Sequence, residues 1–273
     1  MSAFFVEKLA VWSTEPSQVP SKGRVILVHG MSEHSGRHLN TEQALLKDGY
    51  SVVRFDLRGS GQSGGRRQWI EKFTDYVDDV ASVYRWICRE QEPLPLFLLG
   101  HSLGGAIAMT FMQYYQKAFR GLILSAPAYL TGDAINPYVI ALGKQLVKVI
   151  PTFRVSGNSD KSAISRDPEV VKQFLSDPLC CHTNTLNQGR EVLDQLPKLK
   201  EIASTLTLPV LFAHGSLDKI VKLEGSFELL NQIRSRDKNL YIMPGGYHEP
   251  HNDLDKNDYF VQLTQWLNKH LTS

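Results

Sequence analysis

Leu96-Phe97-Leu98-Leu99-Gly100-His101-Ser102-Leu103-Gly104-Gly105-Ala106-Ile107-Ala108-Met109 places a strand, a sharp turn and a helix in immediate succession. The run Leu96–Leu99 is apolar throughout rather than alternating, so it reads as a strand buried on both faces. Ala106–Met112 continues as an apolar helix, within a helical stretch from Leu103 to Gln116. Between them Gly100-His101-Ser102-Leu103-Gly104 fits G-x-S-x-G, and its glycines let helix and strand approach closely through a strained turn. The same pattern recurs at Gly61-Gln62-Ser63-Gly64-Gly65, but Arg66-Arg67-Gln68 follows it where a helix would be needed, so Ser63 reads as a loop residue. Context thus selects Ser102 as the candidate nucleophile, at a nucleophile elbow formed with Gly100, His101 and Gly104.

Outward from this unit the same alternation continues. Val25–Val28, Ser51–Phe55, Gly121–Leu124, Pro209–Ala213 and Leu240–Met243 read as strands. Leu39–Lys47, Phe73–Glu90, Glu224–Ile233 and Asp258–Leu271 read as helices; in the second, Phe73, Val77, Val80, Val83, Tyr84 and Ile87 share one face. Such alternation predicts an α/β fold with a mostly parallel central sheet flanked by helices. Phe4–Val11 alternates less cleanly and fits an antiparallel edge strand. Residues 127–208 break the rhythm. They hold no good strand run, one helical stretch over Pro137–Ile150, and helix-start or turn signals at Asp167-Pro168 and Asp177-Pro178. They read as a helical cap inserted after the sixth strand, over the carboxyl ends of the strands, with 1–126 and 209–273 as the core.

Composition narrows the function classes. With 273 residues, 42% apolar and 21% charged, the chain can bury a sizeable core, which excludes global disorder. Thirty basic against 28 acidic residues leave a net charge of +2, too balanced for a nucleic-acid partner. Cys88, Cys180 and Cys181 make no disulfide framework and point to a reducing compartment; no Cys/His spacing suits a metal. No signal h-region and no stretch long enough to span a bilayer is found, so a cytoplasmic protein is expected.

An alcohol nucleophile needs a base, and the base needs an orienting acid. In this class of elbow the acid and then the histidine follow the serine in the chain. His248, in the loop after Leu240–Met243, is the favoured base, with His251 next. His182 falls in the cap ahead of any late acid, His214 ends a strand beside its own turn, and His270 reads as a solvated helix end. Asp218, after Pro209–Ala213, is the favoured acid; Asp253 and Asp255 read as the first turn of the last helix. Two backbone donors are needed for an oxyanion: the N–H groups of Leu103 and, in the loop after Val25–Val28, Met31.

Together these residues resemble an α/β-hydrolase, and more closely the monoacylglycerol lipase and lysophospholipase group, related to the S33 serine aminopeptidases. The resemblance rests on His29-Gly30-Met31-Ser32-Glu33-His34-Ser35-Gly36-Arg37, Asp56-Leu57-Arg58-Gly59-Ser60-Gly61-Gln62-Ser63, Gly100–Gly105, Ser176-Asp177-Pro178-Leu179, His214–Asp218, and Tyr247-His248-Glu249 with His251. It runs from about residue 20 to the end, departing at Met31-Ser32, where relatives often carry smaller residues. It implies the α/β-hydrolase fold, Ser102 as nucleophile, Asp218 as acid, His248 as base, and Met31 and Leu103 as oxyanion donors. It also implies a cap that admits one acyl chain and can meet membranes peripherally, a monoacylglycerol or lysophospholipid as substrate, and no metal or cofactor. General carboxylesterase, peptidase and non-catalytic binding protein are the competing readings. Oligomeric state is not read from the sequence.

Overall fold

The computed structural model describes residues 3–131, 143, 145–156 and 160–271. Its centre is an eight-stranded sheet of β1 (Phe4–Val6), β2 (Leu9–Thr14), β3 (Arg24–Val28), β4 (Ser51–Phe55), β5 (Leu96–His101), β6 (Gly121–Ser125), β9 (Val210–Gly215) and β10 (Lys238–Met243), in the order β1-β2-β4-β3-β5-β6-β9-β10. From β4 to β10 neighbouring strands are parallel; β1 and β2 pair antiparallel at one edge. The expected single strand over Phe4–Val11 is instead a hairpin, turning at Glu7-Lys8 with Glu7 at φ +56°.

The all-apolar strands are explained by burial on both sides: every residue of β3, β4, β6 and β9 is buried. Because side chains alternate along a strand, Val25 and Leu27 face one layer while Ile26 and Val28 face the other. The first layer holds α1 (Leu39–Lys47) and the C-terminal α8 (Lys256–Lys269), through Leu45, Tyr259, Leu263 and Trp266. The second holds α2 (Thr74–Glu90), α3 (Leu103–Tyr115), α6 (Leu199–Ala203) and α7 (Leu223–Gln232). α2 buries the face carrying Val77, Val80, Val83 and Ile87. α3 is buried on all sides from Leu103 to Met112, as a helix apolar all round should be. Each fully buried Leu, Ile, Val or Phe contributes about 1.5–3 kcal/mol of transfer free energy.

Between β6 and β9 lie α4 (Pro168–Ser176), with Asp167 as N-cap, and α5 (Leu186–Gln195). Two strands that apolar patterning does not signal, β7 (Arg154–Ser156) and β8 (Thr183–Thr185), also form an antiparallel pair here. Their sequences, Arg-Val-Ser and Thr-Asn-Thr, are short and polar, so they carried no strand signal. Val192, Leu196, Leu199 and Ile202 join the second core layer. Half of the expected helix over Pro137–Ile150 lies outside the described residues; at its end Leu146, Val149 and Ile150 are exposed. Among the described residues no helix is long and apolar enough to cross a membrane.

This topology brings the chain just beyond the carboxyl ends of β3, β5, β9 and β10 to one edge of the sheet, where open α/β sheets bind ligands.

Candidate active site

β5 ends in the turn that carries Ser102, which caps α3 at φ +52°, ψ −118°. That region strains any residue with a Cβ. Backbone bonds hold it: Ser102 N–H donates to Ser125 O (2.9 Å), and Ser102 O accepts from Gly105 and Ala128 N–H (both 2.9 Å) and, more weakly, from Ala106 N–H (3.4 Å). The turn is tight enough that a Cβ on Gly100 would stand 2.3 Å from Gly104 O, and one on Gly104 2.2 Å from Val28 O. The glycines therefore seat α3 directly on β3 and β5.

The loop after β10 places His248 Nε2 3.0 Å from Ser102 Oγ, and its Nδ1 2.7 Å from Asp218 Oδ2. Asp218 follows β9. Its side chain is fully buried, and its Oδ1 accepts from Ile220 N–H (2.8 Å) and Val221 N–H (3.0 Å). Burial alone would raise its carboxyl, but His248 and His214 hold it below the usual carboxylate range. Burial would likewise lower His248, yet Asp218, reinforced by Glu249 and Glu33, raises it above the ordinary imidazole value. With Asp218 anionic, Nδ1–H of His248 donates to it and leaves Nε2 to accept the Ser102 proton. A hydroxyl, an imidazole and a carboxylate in this chain can activate an oxygen nucleophile and return its proton to a leaving group.

The loop after β3 faces Ser102. His29 Nε2 accepts from Leu57 N–H (3.0 Å), so its proton sits on Nδ1, which donates to Gly30 O (2.8 Å). Burial lowers the His29 pKa, consistent with a neutral ring that donates at Nδ1 and accepts at Nε2. Among the described residues neither Met31 N–H nor Leu103 N–H has a hydrogen-bond partner. The latter is one of the free donors at the N-terminus of α3.

A family model described as serine aminopeptidase, S33, matches residues 19–255. The chain belongs to that family. It is 34% identical to a monoacylglycerol lipase of Mycolicibacterium smegmatis, over 96% of this chain and 92% of that one. It is 31% identical to the Homo sapiens monoglyceride lipase, over 93% and 85%. The crystal structure of Paleococcus ferrophilus monoacylglycerol lipase superposes with a TM-score of 0.87 at 28% identity, covering 96% and 99%. The fold is the α/β-hydrolase fold, and the protein is a carboxylic ester hydrolase resembling these lipases.

Of the S33 member's residues singled out above, Ser102, His248 and Asp218 converge, while the others have different surroundings. His251 is buried, its ring stacked on His38 at 4.2 Å. His214 supports Asp218: its Nε2 lies 3.1 Å from Val221 O, which only accepts, and 3.2 Å from Asp218 Oδ2, while Nδ1 meets Ser226 Oγ at 2.7 Å. His270 is not solvated; it is buried between Trp266 O and Asp237. Asp253 does not open the last helix, which starts at Lys256. Its buried carboxylate instead accepts from Tyr247 N–H (2.7 Å) and Arg166 Nε (3.0 Å), fixing the His248 loop. Ser63 is a loop residue that accepts from Ala10 N–H and donates to Asp56 O.

His34, Asp177 and Cys180 bring a nitrogen, an oxygen and a sulfur within 4.8 Å of one another. Gly36 N–H donates to His34 Nδ1, so the Nε2 proton points at Asp177 Oδ2 (2.9 Å). That tautomer serves a hydrogen bond between two loops and denies a cation the Nε2 lone pair.

Proposed function

We propose that this protein hydrolyses the ester bond of monoacylglycerols by acyl transfer through Ser102. The observation that carries the reading is the unbroken chain from Ser102 Oγ through His248 to buried Asp218, beside a turn and a loop whose Leu103 and Met31 amides have no hydrogen-bond partner among the described residues. His248 Nε2 takes the Ser102 proton as Oγ attacks the ester carbonyl. Met31 and Leu103 N–H receive the oxyanion. On collapse, His248 returns the proton to the departing glycerol oxygen and leaves acyl-Ser102. Water, deprotonated by His248, then attacks the acyl carbon; His248 passes that proton to the departing Ser102 Oγ, which frees the fatty acid and restores the serine hydroxyl.

The relatives' names support a monoacylglycerol as substrate. In this reading residues 127–208 form a cap over the core made of 1–126 and 209–273. Exposed Val149, Ile150 and Phe153, next to Lys148 and Arg154, suit contact with a lipid surface.

The test is fatty-acid release from a long-chain monoacylglycerol beside the matching lysophosphatidylcholine, with Ser102→Ala as control. The neutral lipid should be preferred and the variant inactive yet folded. Preference for the lysophospholipid would move the substrate assignment, and an active Ser102→Ala protein would refute the mechanism.

A further inference from the structure

We propose that Glu33 is a positioning residue for the oxyanion loop, acting through the backbone of Gly30; this rests on the acyl-transfer reading above. Glu33 is 3% exposed, and its Oε1 accepts both Gly30 N–H at 2.5 Å and His38 Nε2–H at 3.0 Å. The two bonds made by Gly30 fix two successive peptide planes. The Glu33 bond fixes the plane that contains Gly30 N–H. The His29 bond to Gly30 O fixes the next, which contains Met31 N–H. In a planar trans peptide C=O and N–H point in opposite directions, so Met31 N–H is aimed away from His29. Glycine has the softest backbone of any residue. Without the Glu33 bond the first plane is free to swing, and the His29 bond alone is left to hold the aim of Met31 N–H across the soft Gly30 dihedrals.

Proximity to the reacting group makes this consequential. A Cβ built on Gly30 would meet Glu33 Oε1 at 2.9 Å and Ser102 Cβ at 3.2 Å, so Gly30 is wedged between the carboxylate and the nucleophile. A buried carboxylate close to a developing oxyanion opposes it electrostatically. A role in geometry accounts for a carboxylate in that place, where His38 Nε2 meets the same oxygen. Burial would raise the Glu33 carboxyl, and the His38 contact holds it well below the usual carboxylate range, so it stays an acceptor at neutral pH.

Geometry and charge are separated by two conservative variants. Glu33→Gln discards the charge and keeps an acceptor at the same reach. Glu33→Asp keeps the charge and withdraws the acceptor by one methylene. On a short-chain ester, Glu33→Gln should keep kcat within about fivefold of the parent, while Glu33→Asp should lose about a hundredfold, the scale of one oxyanion donor, with KM little changed. A trifluoromethyl ketone, which becomes a tetrahedral oxyanion on Ser102, should lose affinity for the Asp variant by a similar factor. The reverse order of the two variants, parental rates in both, or equal losses in both would overturn the proposal. Should Glu33→Asp not fold, Glu33→Gln decides alone: a kcat reduced more than tenfold overturns it. Ser102→Ala is assayed in parallel. An active Ser102→Ala protein ends the acyl-transfer reading and this proposal together. An inactive one leaves the Gln/Asp order to judge Glu33, whatever lipid proves to be the natural substrate.

Discussion

In the proposed mechanism His248 must carry a positive charge in a place that water hardly reaches, and Asp218 makes this possible. Burial disfavours the imidazolium, and the carboxylate 2.7 Å away more than compensates, so the ring titrates above its ordinary value. A general base works only when neutral. Activity should therefore rise with pH through a midpoint above about 6.5, seen in kcat/KM against pH. Asp218→Asn removes the compensating charge and leaves the burial. The midpoint should move down, and kcat should fall by about three to four orders of magnitude, because the amide no longer selects the tautomer with the proton on Nδ1. An Asn variant with the parental midpoint would separate Asp218 from the titration of His248.

The β5-turn-α3 element is where one atom in the wrong place does most harm. An added Cβ at Gly104 would stand 2.2 Å from Val28 O and 2.6 Å from His29 O, backbone atoms that cannot step aside. Gly104→Ala should destabilise the protein by about 3 kcal/mol, by the overpacking of α3 against β3, and displace the loop that carries Met31. Gly189 lies within α5 and has nothing within 4 Å of a built Cβ. Gly189→Ala should instead stabilise by up to about 1 kcal/mol, through helix propensity and the unfolded chain. Urea midpoints of the two variants check both signs. Elements of this kind are also the ones legible in the sequence. An all-apolar run before G-x-S-x-G has one plausible structure, and the strands and helices expected over 25–124 and 209–271 match to within a few residues at their ends. The strand β5 outran its apolar run because Gly100 and His101 continue the ladder opposite Leu124 and Ser125. What the sequence concealed is contact between loops remote in the chain. Glu33 on Gly30, His214 on Asp218, and Asp253 on Arg166 and Tyr247 follow from no periodicity. Each was placed by propensity alone as a turn or helix-end residue, or given no role.

On the scale of the whole molecule, the strand ends and the loops beyond them gather His29, His101 and His251 into an interior that disfavours their charge. Burial holds His29 below its ordinary value and His101 and His251 well below theirs; His101 also feels His248, and His251 feels His38. In the unfolded chain all three titrate near 6.5. Their stabilising contribution is therefore present above about pH 6.5 and lost as pH falls toward their folded values, because the unfolded state binds protons that the folded state refuses. His248 has the opposite sign: its folded value is raised, so its contribution is present below about 6.5 and lost as pH rises through the folded value. In the acid window the three lowered rings prevail. Each adds up to about 1.4 kcal/mol of lost stability per pH unit. The urea midpoint should accordingly drop steeply between about pH 6.5 and pH 5, well above the range in which Asp218 and Glu33 protonate in the folded state. His251→Gln removes one of the three without touching Ser102, Asp218 or His248, and should flatten the slope by about one proton's share while leaving the direction unchanged. If the parent and His251→Gln lose stability along the same slope, acid sensitivity does not come from burying this neutral ring, and the titration of surface carboxylates would have to supply it instead.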